Sequence, residues 1–195
     1  VFRALERALH RRAAYTGTGR PKAHEYIARY GIPEERVVFI ANGFTGADFE
    51  AMPPRKRKKS FDFVYFGSHG LSNDLDVLLK AFHGFEQEYT GKRLVRLRMI
   101  GDGPLKPELM KMAEELGIRN VSFEPLRPRS EVPALASEAD ACVVVVGDVE
   151  RLYRYGIALN ELFDYMGAGR PVSAAAAAVN DPVAEAGAAI TGRPA

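Results

Sequence analysis

Apolar segments rich in β-branched and aromatic residues alternate with amphipathic segments from residue 61 to residue 178, with short connections between them. The segments that read as strands are FDFVYFGS, LVRLRMIGDGP, VSFEPL, DACVVVV and RPVSAAAAA. A strand, a helix and a second strand joined over so few residues form a right-handed crossover within one parallel sheet. The alternation therefore predicts an α/β fold with a doubly wound, mostly parallel sheet.

The predicted core of this sheet is visible in two segments. DACVVVV is almost wholly apolar, which is typical of a strand that helices cover on both faces. In DLDVLLKAFHGFEQEY the side chains of Leu75, Leu78, Leu79 and Phe82 recur at the spacing of one helix face. We expect that face to be buried, and we expect Cys142 to be a small core residue.

The regular pattern is interrupted before residue 61. Residues 1–50 carry a short amphipathic helix with Leu5 and Leu9, a second helix and the strand RVVFIANG. MPPRKRKKS then combines two prolines with five consecutive basic residues, which is typical of a linker. The sequence predicts a first part over 1–50, a linker over 51–60 and a main domain over 61–195.

Composition excludes several classes of protein. Lys and Arg total 27 and Asp and Glu total 25, so the net charge of +2 gives no reason to expect a nucleic acid partner. A single cysteine cannot form an intramolecular disulfide, and this favours a reducing compartment such as the cytoplasm. No two of the four histidines have the spacing of metal ligands, so no metal site is predicted.

Ligands of doubly wound sheets bind outside the carboxyl ends of the strands. Those ends are Gly67-Ser68-His69-Gly70, Gly101-Asp102-Gly103, the segment after Phe123 and the segment after Val146. A helix within LNELFDYMG follows the last of these and carries Asn160, Glu161 and Asp164 on one side. Acids in a first helical turn are partners of the helix dipole, but the start of a helix is also where proteins hold phosphate.

The order of these motifs resembles one family. IANGFTGADF, VYFGSHGLSNDLDVLLKAF, LRMIGDGP, NVSFEPLRPRSEVPALASEADACVVV and YGIALNELFDYMGAGRPV are similar to successive landmarks of the group 1 glycosyltransferases, retaining enzymes of the GT-B fold. The likeness covers roughly residues 15 to 190. A complete member has two Rossmann-like domains with the active site between them, and this chain resembles the second, donor-binding domain.

The resemblance implies a role for each part of the chain. Residues 1–50 look like the end of the acceptor-side domain, residues 51–60 like the linker and residues 61–195 like the domain that binds the nucleotide-sugar. The acceptor-binding part is expected before Val1, and the family's closing helices after Ala195. The signature helix is closest to a branch that uses UDP-linked sugars in bacterial surface polysaccharide synthesis.

The family's roles pass to matching residues of the signature helix. Asp164 aligns with the acid that holds the donor ribose hydroxyls, and two hydroxyls suit a short carboxylate. We expect the apolar face of the helix to aim Asp164 away from the core. Asn160, with the amides around Ile157, either binds the diphosphate or is only the N-cap of the helix. Glu161 departs from the branch, which has Lys here, and a Glu facing the diphosphate would repel it.

The resemblance also implies roles for residues in the loops that follow the strands. The amides of Gly67, Ser68 and Gly70 are expected to approach the diphosphate, and His69 either donates to it or is a loop histidine bonded to backbone. Many relatives have Arg in place of Ser68 and Lys near Asn73, and this chain has neither. Two further pairs complete the predicted donor site: Gly101 and Gly103, which line the nucleotide floor, and Leu126 and Arg127, of which Arg127 stacks on the base, reaches the diphosphate or is solvated.

The resemblance implies a donor-binding part of a glycosyltransferase that transfers a sugar from a nucleotide-sugar, UDP favoured, to a glycan or lipid-linked acceptor. The nucleotide-sugar is a substrate, so no cofactor is predicted, and no catalytic residue is identified because Gly156 stands where many members have an acid. A non-catalytic binding module and an NAD-binding oxidoreductase or epimerase remain alternatives. The basic run Arg55 to Lys59 is either a solvated linker or a peripheral contact with an anionic membrane. The apolar side of residues 1–50 is a candidate for association.

Overall fold

The computed structural model describes residues 2–50, 58–146, 153–175, 187 and 189–192. The described residues form two compact units, one of residues 2–43 and 153–160 and the other of the remainder. None of the described helices is both long and apolar enough to cross a membrane. Most of the predicted linker, residues 51–57, lies outside the described part of the chain, and the predicted domain boundaries stay a prediction.

The first unit contains two helices and a short parallel ladder. Its elements are α1 (Phe2–Arg12), β1 (Thr16–Thr18), α2 (Ala23–Ile27) and β2 (Val37–Phe39). Strands β1 and β2 pair in parallel, with Thr16 opposite Val37. The predicted helix at the start exists, but α1 buries none of its residues.

The segment 153–160 packs within this first unit. The Lys22 N–H donates to the Tyr155 carbonyl oxygen at 3.0 Å, and the Tyr26 and Tyr155 rings lie 5.6 Å apart. The Asn42 side-chain amide donates to the Ala158 carbonyl oxygen at 3.0 Å. The residues just before the signature helix are therefore fixed by residues far away in sequence.

The second unit contains a six-stranded parallel sheet, as the alternation of segments predicts. Its elements are α3 (Ala47–Glu50), β3 (Ser60–Phe66), α4 (Leu75–Glu88), β4 (Leu94–Ile100), α5 (Lys106–Glu115), β5 (Val121–Glu124), α6 (Val132–Glu138), β6 (Ala141–Val145), α7 (Asn160–Gly167), β7 (Val172–Ala175) and β8 (Ala189–Gly192). The strand order is β5-β4-β3-β6-β7-β8, and every neighbouring pair is parallel.

Helices α4 and α5 cover one face of this sheet. The predicted apolar stripe of α4 is confirmed, because Leu75, Leu78, Leu79 and Phe82 are all buried against a cluster that includes Leu97. Burial of side chains of this size contributes about 1.5–3 kcal/mol each. Every residue of β6 is buried, including Cys142, as the apolar run predicts. The contact of Phe66 in β3 with Tyr165, at 5.9 Å between rings, places α7 against the other face.

The amino ends of the central strands hold a buried ionic network. Asp62 in β3 is 0% exposed and accepts two hydrogen bonds from Arg96, both at 2.8 Å, and one from Lys58 at 3.3 Å. Asp140 accepts from the Asp62 N–H at 2.9 Å and from Arg93 at 3.0 Å. This network lies at the opposite end of β3 from the glycine loop.

Candidate functional site

The turns after β3 and β4 are joined by backbone hydrogen bonds. The Gly67 N–H donates to the Ile100 carbonyl oxygen at 3.1 Å, and the His69 N–H donates to that of Asp102 at 2.8 Å. The Leu105 N–H in turn donates to the His69 carbonyl oxygen at 3.0 Å. The loop thus uses the amides of Gly67 and His69 internally, which leaves fewer amides for a phosphate than the glycine content suggests.

The glycines of the second turn are explained by the closeness of the first. A Cβ on Gly101 would lie 1.8 Å from the Gly67 carbonyl oxygen, and a Cβ on Gly103 would lie 2.6 Å from that of His69. Neither approach is possible for a side chain. Gly101 and Gly103 therefore allow two loops to pack together, whatever further part they take in lining a nucleotide floor.

The carbonyl oxygen of Ser68 is held from two sides. The Tyr65 hydroxyl donates to it at 2.8 Å, and the Asn73 side-chain amide donates to it at 2.5 Å. Ser68 itself is exposed, and Gly70 is partly buried. The position near which relatives carry a phosphate-binding Lys thus holds an amide that fixes the loop.

His69 is buried beneath this loop. Its side chain is 0% exposed, lies 6.0 Å from the Tyr65 ring and meets the Phe123 ring edge-on at 6.2 Å. Neither ring nitrogen has a hydrogen-bond partner among the described residues. Burial lowers the pKa of His69, and the charge of Lys106 lowers it further. The ring is therefore neutral near pH 7 and donates from one nitrogen only.

Lys106 is a residue of this region that the sequence analysis does not identify. Its ammonium group donates to the carbonyl oxygens of Gly101 and Glu124, both at 2.7 Å. It therefore ties together the carboxyl ends of β4 and β5. A lysine in the first turn of a helix gives no sequence signal for this role, because its partners lie on two different strands.

The connection after β5 is open to solvent. Leu126 is 69% exposed, and Arg127 is exposed and forms an ion pair with Glu131 at 3.7 Å. Ion pairs with this exposure contribute little to stability. Both side chains are therefore available to a ligand at the end of β5.

Helix α7 begins at Asn160, which is exposed, and Ile157 before it is buried. Glu161 is partly buried in the first turn. Burial raises the pKa of Glu161, and the neighbouring charge of Asp164 acts in the same direction. The prediction that Glu161 is a poor neighbour for further negative charge therefore has a physical basis in the packing.

Asp164 lies one turn further along α7, and its surroundings differ from those expected. Its side chain is not open to solvent but is 2% exposed, and it is paired with Arg129. Two nitrogens of the Arg129 guanidinium donate to the two carboxylate oxygens, the Nη2–Oδ1 pair at 2.8 Å. This bond raises the pKa of Arg129, and the charges of Asp48 and Glu161 act in the same direction.

The structure thus brings two groups of predicted residues together within the second unit. Backbone bonds from Gly67 and His69 to the residues on either side of Gly101 and Gly103 join the first two loops. The Arg129 pair joins the connection after β5 to Asp164. Among the residues that the structure describes, no group of three or more His, Cys, Asp or Glu is arranged to hold a metal ion.

The sequence and the fold are both similar to those of known proteins. A family model described as glycosyl transferases group 1 matches residues 60–193. The fold is similar to that of Anabaena HepE solved in complex with UDP-glucose, with a TM-score of 0.72, 17% identity, and 98% of this chain and 53% of that one covered. No curated protein is similar enough in sequence to count as a match.

Two further solved structures share the fold. WaaG, a glycosyltransferase involved in lipopolysaccharide biosynthesis, has a TM-score of 0.70 and 18% identity, and 98% of this chain and 54% of WaaG are covered. A glycosyltransferase from Rickettsia africae has a TM-score of 0.67 and 12% identity, and 92% of this chain and 49% of that one are covered.

The chain spans about half the length of these solved structures. The family model, in contrast, covers more than half of this chain and includes both loops and all of α7. The protein belongs to the group 1 glycosyl transferases.

Proposed function

We propose that the chain is the donor-binding part of a retaining glycosyltransferase that takes a nucleotide-diphosphate sugar, with UDP as the favoured nucleotide. The acceptor is a glycan or a lipid-linked glycan of a bacterial surface polysaccharide. The family match supports sugar transfer, and the similarity to HepE, solved with UDP-glucose, and to WaaG supports the choice of donor and pathway. Residues 1–50 are then the end of the acceptor-side domain.

The observation that carries this proposal is the buried carboxylate of Asp164. A carboxylate that is 1% exposed is costly unless it is paired, and here Arg129 pairs with both oxygens. Each oxygen keeps a further acceptor position, so the carboxylate can still accept hydroxyl hydrogen bonds. We propose that these positions receive the two ribose hydroxyls of the donor.

The remaining donor contacts are those that the family resemblance implies for each loop. The diphosphate lies at the start of α7, where the helix dipole favours negative charge, with contacts from Asn160 and the amides near Ile157. Ser68 and Gly70 border it at the end of β3, and His69, which is buried, supports their loop without reaching the ligand. Gly101 and Gly103 form the floor, and the base lies by Leu126 and Arg127.

The proposed reaction breaks the bond between the anomeric carbon and the diphosphate oxygen. The acceptor oxygen bonds to the same face of that carbon, and the departing diphosphate takes the acceptor's proton. The protein then contributes by holding the reactants and stabilising the charge of the leaving group. This reaction needs no base from the donor domain and no metal.

A second candidate is a nucleotide-sugar binding module without activity of its own. It is favoured by Glu161, a partly buried acid where the related branch has Lys, and by the internal use of the Gly67 and His69 amides. Such a module would bind UDP but would depend on a companion chain for transfer.

Calorimetric titration of the chain with UDP, GDP and NAD tests the proposal. We expect UDP to bind most tightly. We expect Asp164→Asn to weaken UDP binding by about 10- to 100-fold, because charge-assisted hydrogen bonds are lost. Asp76→Asn is the matched control, since Asp76 is an exposed acid paired with Lys80 on α4. Preference for NAD, or UDP binding that Asp164→Asn leaves unchanged, would refute the proposal.

A further inference from the structure

Arg129 lies in the connection between β5 and α6, and no part of the sequence marks it as a site residue. We propose that Arg129 binds the donor together with Asp164, by fixing the carboxylate for the ribose and by presenting positive charge to the diphosphate. This inference rests on the proposed function. It assigns to Arg129 the positive charge that many relatives carry in place of Ser68 and near Asn73, where this chain has no cation.

The geometry allows one guanidinium to serve both groups. Arg129 has five N–H groups, and the two hydrogen bonds to Asp164 use one on Nη1 and one on Nη2. Five minus two leaves three N–H groups, which make no hydrogen bond within the described part of the chain. The Arg129 side chain is 64% exposed while that of Asp164 is 2% exposed, so the unused groups face outward from a fixed base.

The charges around Arg129 show why a diphosphate needs it. Asp164, Glu161 and Asp48 are the acids whose charges act on the guanidinium. Without Arg129, the negative charges of these three acids would not be offset by its guanidinium, and like charges would repel a diphosphate. With Arg129 in place, the Arg129–Asp164 pair has no net charge, and the positive guanidinium is the member of the pair that faces solvent.

Two neighbouring cations are held differently from Arg129. Lys106 donates to two backbone carbonyl oxygens, and Arg127 is paired with Glu131 at 3.7 Å. Arg129 is also bonded, but its two-nitrogen contact leaves a planar fork suited to phosphate oxygens. It is therefore the cation whose bonding both orients it and leaves donors for a ligand.

A series of ligands with increasing phosphate separates this role from a structural one. The affinities of UDP, UMP and uridine are measured for the 195-residue chain and for Arg129→Gln. We expect the loss of affinity caused by Arg129→Gln to grow with the number of phosphates, from less than about threefold for uridine to about tenfold or more for UDP. If all three ligands weaken equally, or none weakens, Arg129 does not act on the phosphates and the inference is wrong.

Two variants complete the experiment. Arg129→Lys keeps the charge without the fork, and we expect it to recover part of the preference for UDP over uridine. Lys111→Gln removes an equal charge from an exposed position on α5 and should change no affinity. Unfolding midpoints of all variants show whether the fold is retained. A wild-type chain that binds none of the three ligands would refute the proposed function, and this inference with it.

Discussion

The hydroxyl of Tyr165 donates to the Phe66 carbonyl oxygen at 3.3 Å and accepts from the Phe66 N–H at 2.9 Å. Strand β3 pairs with β6 only at Phe63 and Val64, so at Phe66 the tyrosine takes the place of a neighbouring strand. Tyr165 follows Asp164 directly in α7, and Phe66 precedes the loop at Gly67. One side chain thus links the signature helix to the strand end that leads into the glycine loop.

Removal of this hydroxyl should destabilise the chain. In Tyr165→Phe the ring still packs, but the buried Phe66 N–H loses its acceptor, which costs about 1–3 kcal/mol. Urea unfolding measures the change. Tyr89→Phe, at a partly exposed tyrosine at the end of α4, should change the free energy of unfolding by less than about 0.5 kcal/mol. Equal stability of the two variants would show that the Phe66 contacts contribute nothing.

Glu161 should make the chain less stable as the pH rises. Its pKa in the folded chain is raised above the ordinary value of 4.5 by burial and by Asp164, with Arg129 acting in the opposite direction and Tyr65 also nearby. The stability that protonation gives is fully present below 4.5 and is lost as the pH rises through the raised pKa.

Glu161→Gln should therefore unfold at higher urea than wild type at pH 7, and the difference should vanish near pH 4. Glu115→Gln, at an exposed acid of α5, should show no such trend. A Glu161→Gln chain that is less stable than wild type at pH 7 would mean that the carboxylate is favourably paired, contrary to this account.

Asp62 should have the opposite pH dependence. Burial alone would raise the pKa of Asp62, but hydrogen bonds from Arg96 and Ser60 overcome this and lower the pKa to about 2. The stability it contributes is therefore present above its ordinary pKa of 3.8 and is lost as the pH falls toward 2.

Asp62→Asn should cost about 1.5–3 kcal/mol at pH 7, as expected for hydrogen bonds to a charged group. The cost should shrink as the pH falls from 3.8 toward 2, because the carboxylate is protonated first in the unfolded chain and only at lower pH in the folded one. Asp76→Asn, which breaks an exposed pair with Lys80, should cost about 0.3–0.5 kcal/mol. A constant cost of Asp62→Asn between pH 7 and pH 3 would contradict this assignment.

Two glycine substitutions should have opposite effects. Gly101→Ala places a Cβ 1.8 Å from the Gly67 carbonyl oxygen and should cost about 3 kcal/mol or more, because two backbone turns have to separate. Gly84→Ala, inside α4, meets no atom within 4 Å and should stabilise the chain by about 0.5–1 kcal/mol. Chemical unfolding of both variants measures the contrast, and a tolerated Gly101→Ala would show that the loops are not packed as described.

The sequence predicts five of the six strands, β3 to β7, and the buried faces of α4 and β6, whereas β8 is not among the predicted segments. Helix α4 is predictable because its apolar residues recur at the spacing of one helix face. Strand β6 is predictable because a strand with helices on both faces is almost wholly apolar. Helix starts are harder to predict: α6 begins at Val132, directly after a short 3₁₀ turn over Arg129–Glu131. The preceding residues continue the turn into the helix, so no side-chain cap forms.

The candidate site was predictable in position but not in its pairing. Strand ends and the signature helix give the positions of Gly67, Gly101 and Asp164, since they follow from the order of elements. The contact of Arg129 with Asp164 joins residues 35 positions apart. The sequence analysis singles out Arg127 instead, as a residue that stacks on the base, reaches the diphosphate or is solvated. Which of two loop arginines reaches a given acid depends on the path of the connection, which no local pattern encodes.

The most direct test of the central claim is a crystal structure of the chain with UDP. This account predicts that both ribose hydroxyls lie within hydrogen-bond distance of the Asp164 carboxylate, and that the β-phosphate lies beside Arg129 at the start of α7. Uridine diphosphate bound elsewhere on the sheet, or bound there with Asp164 still closed beneath Arg129 and out of reach of the ribose, would contradict it.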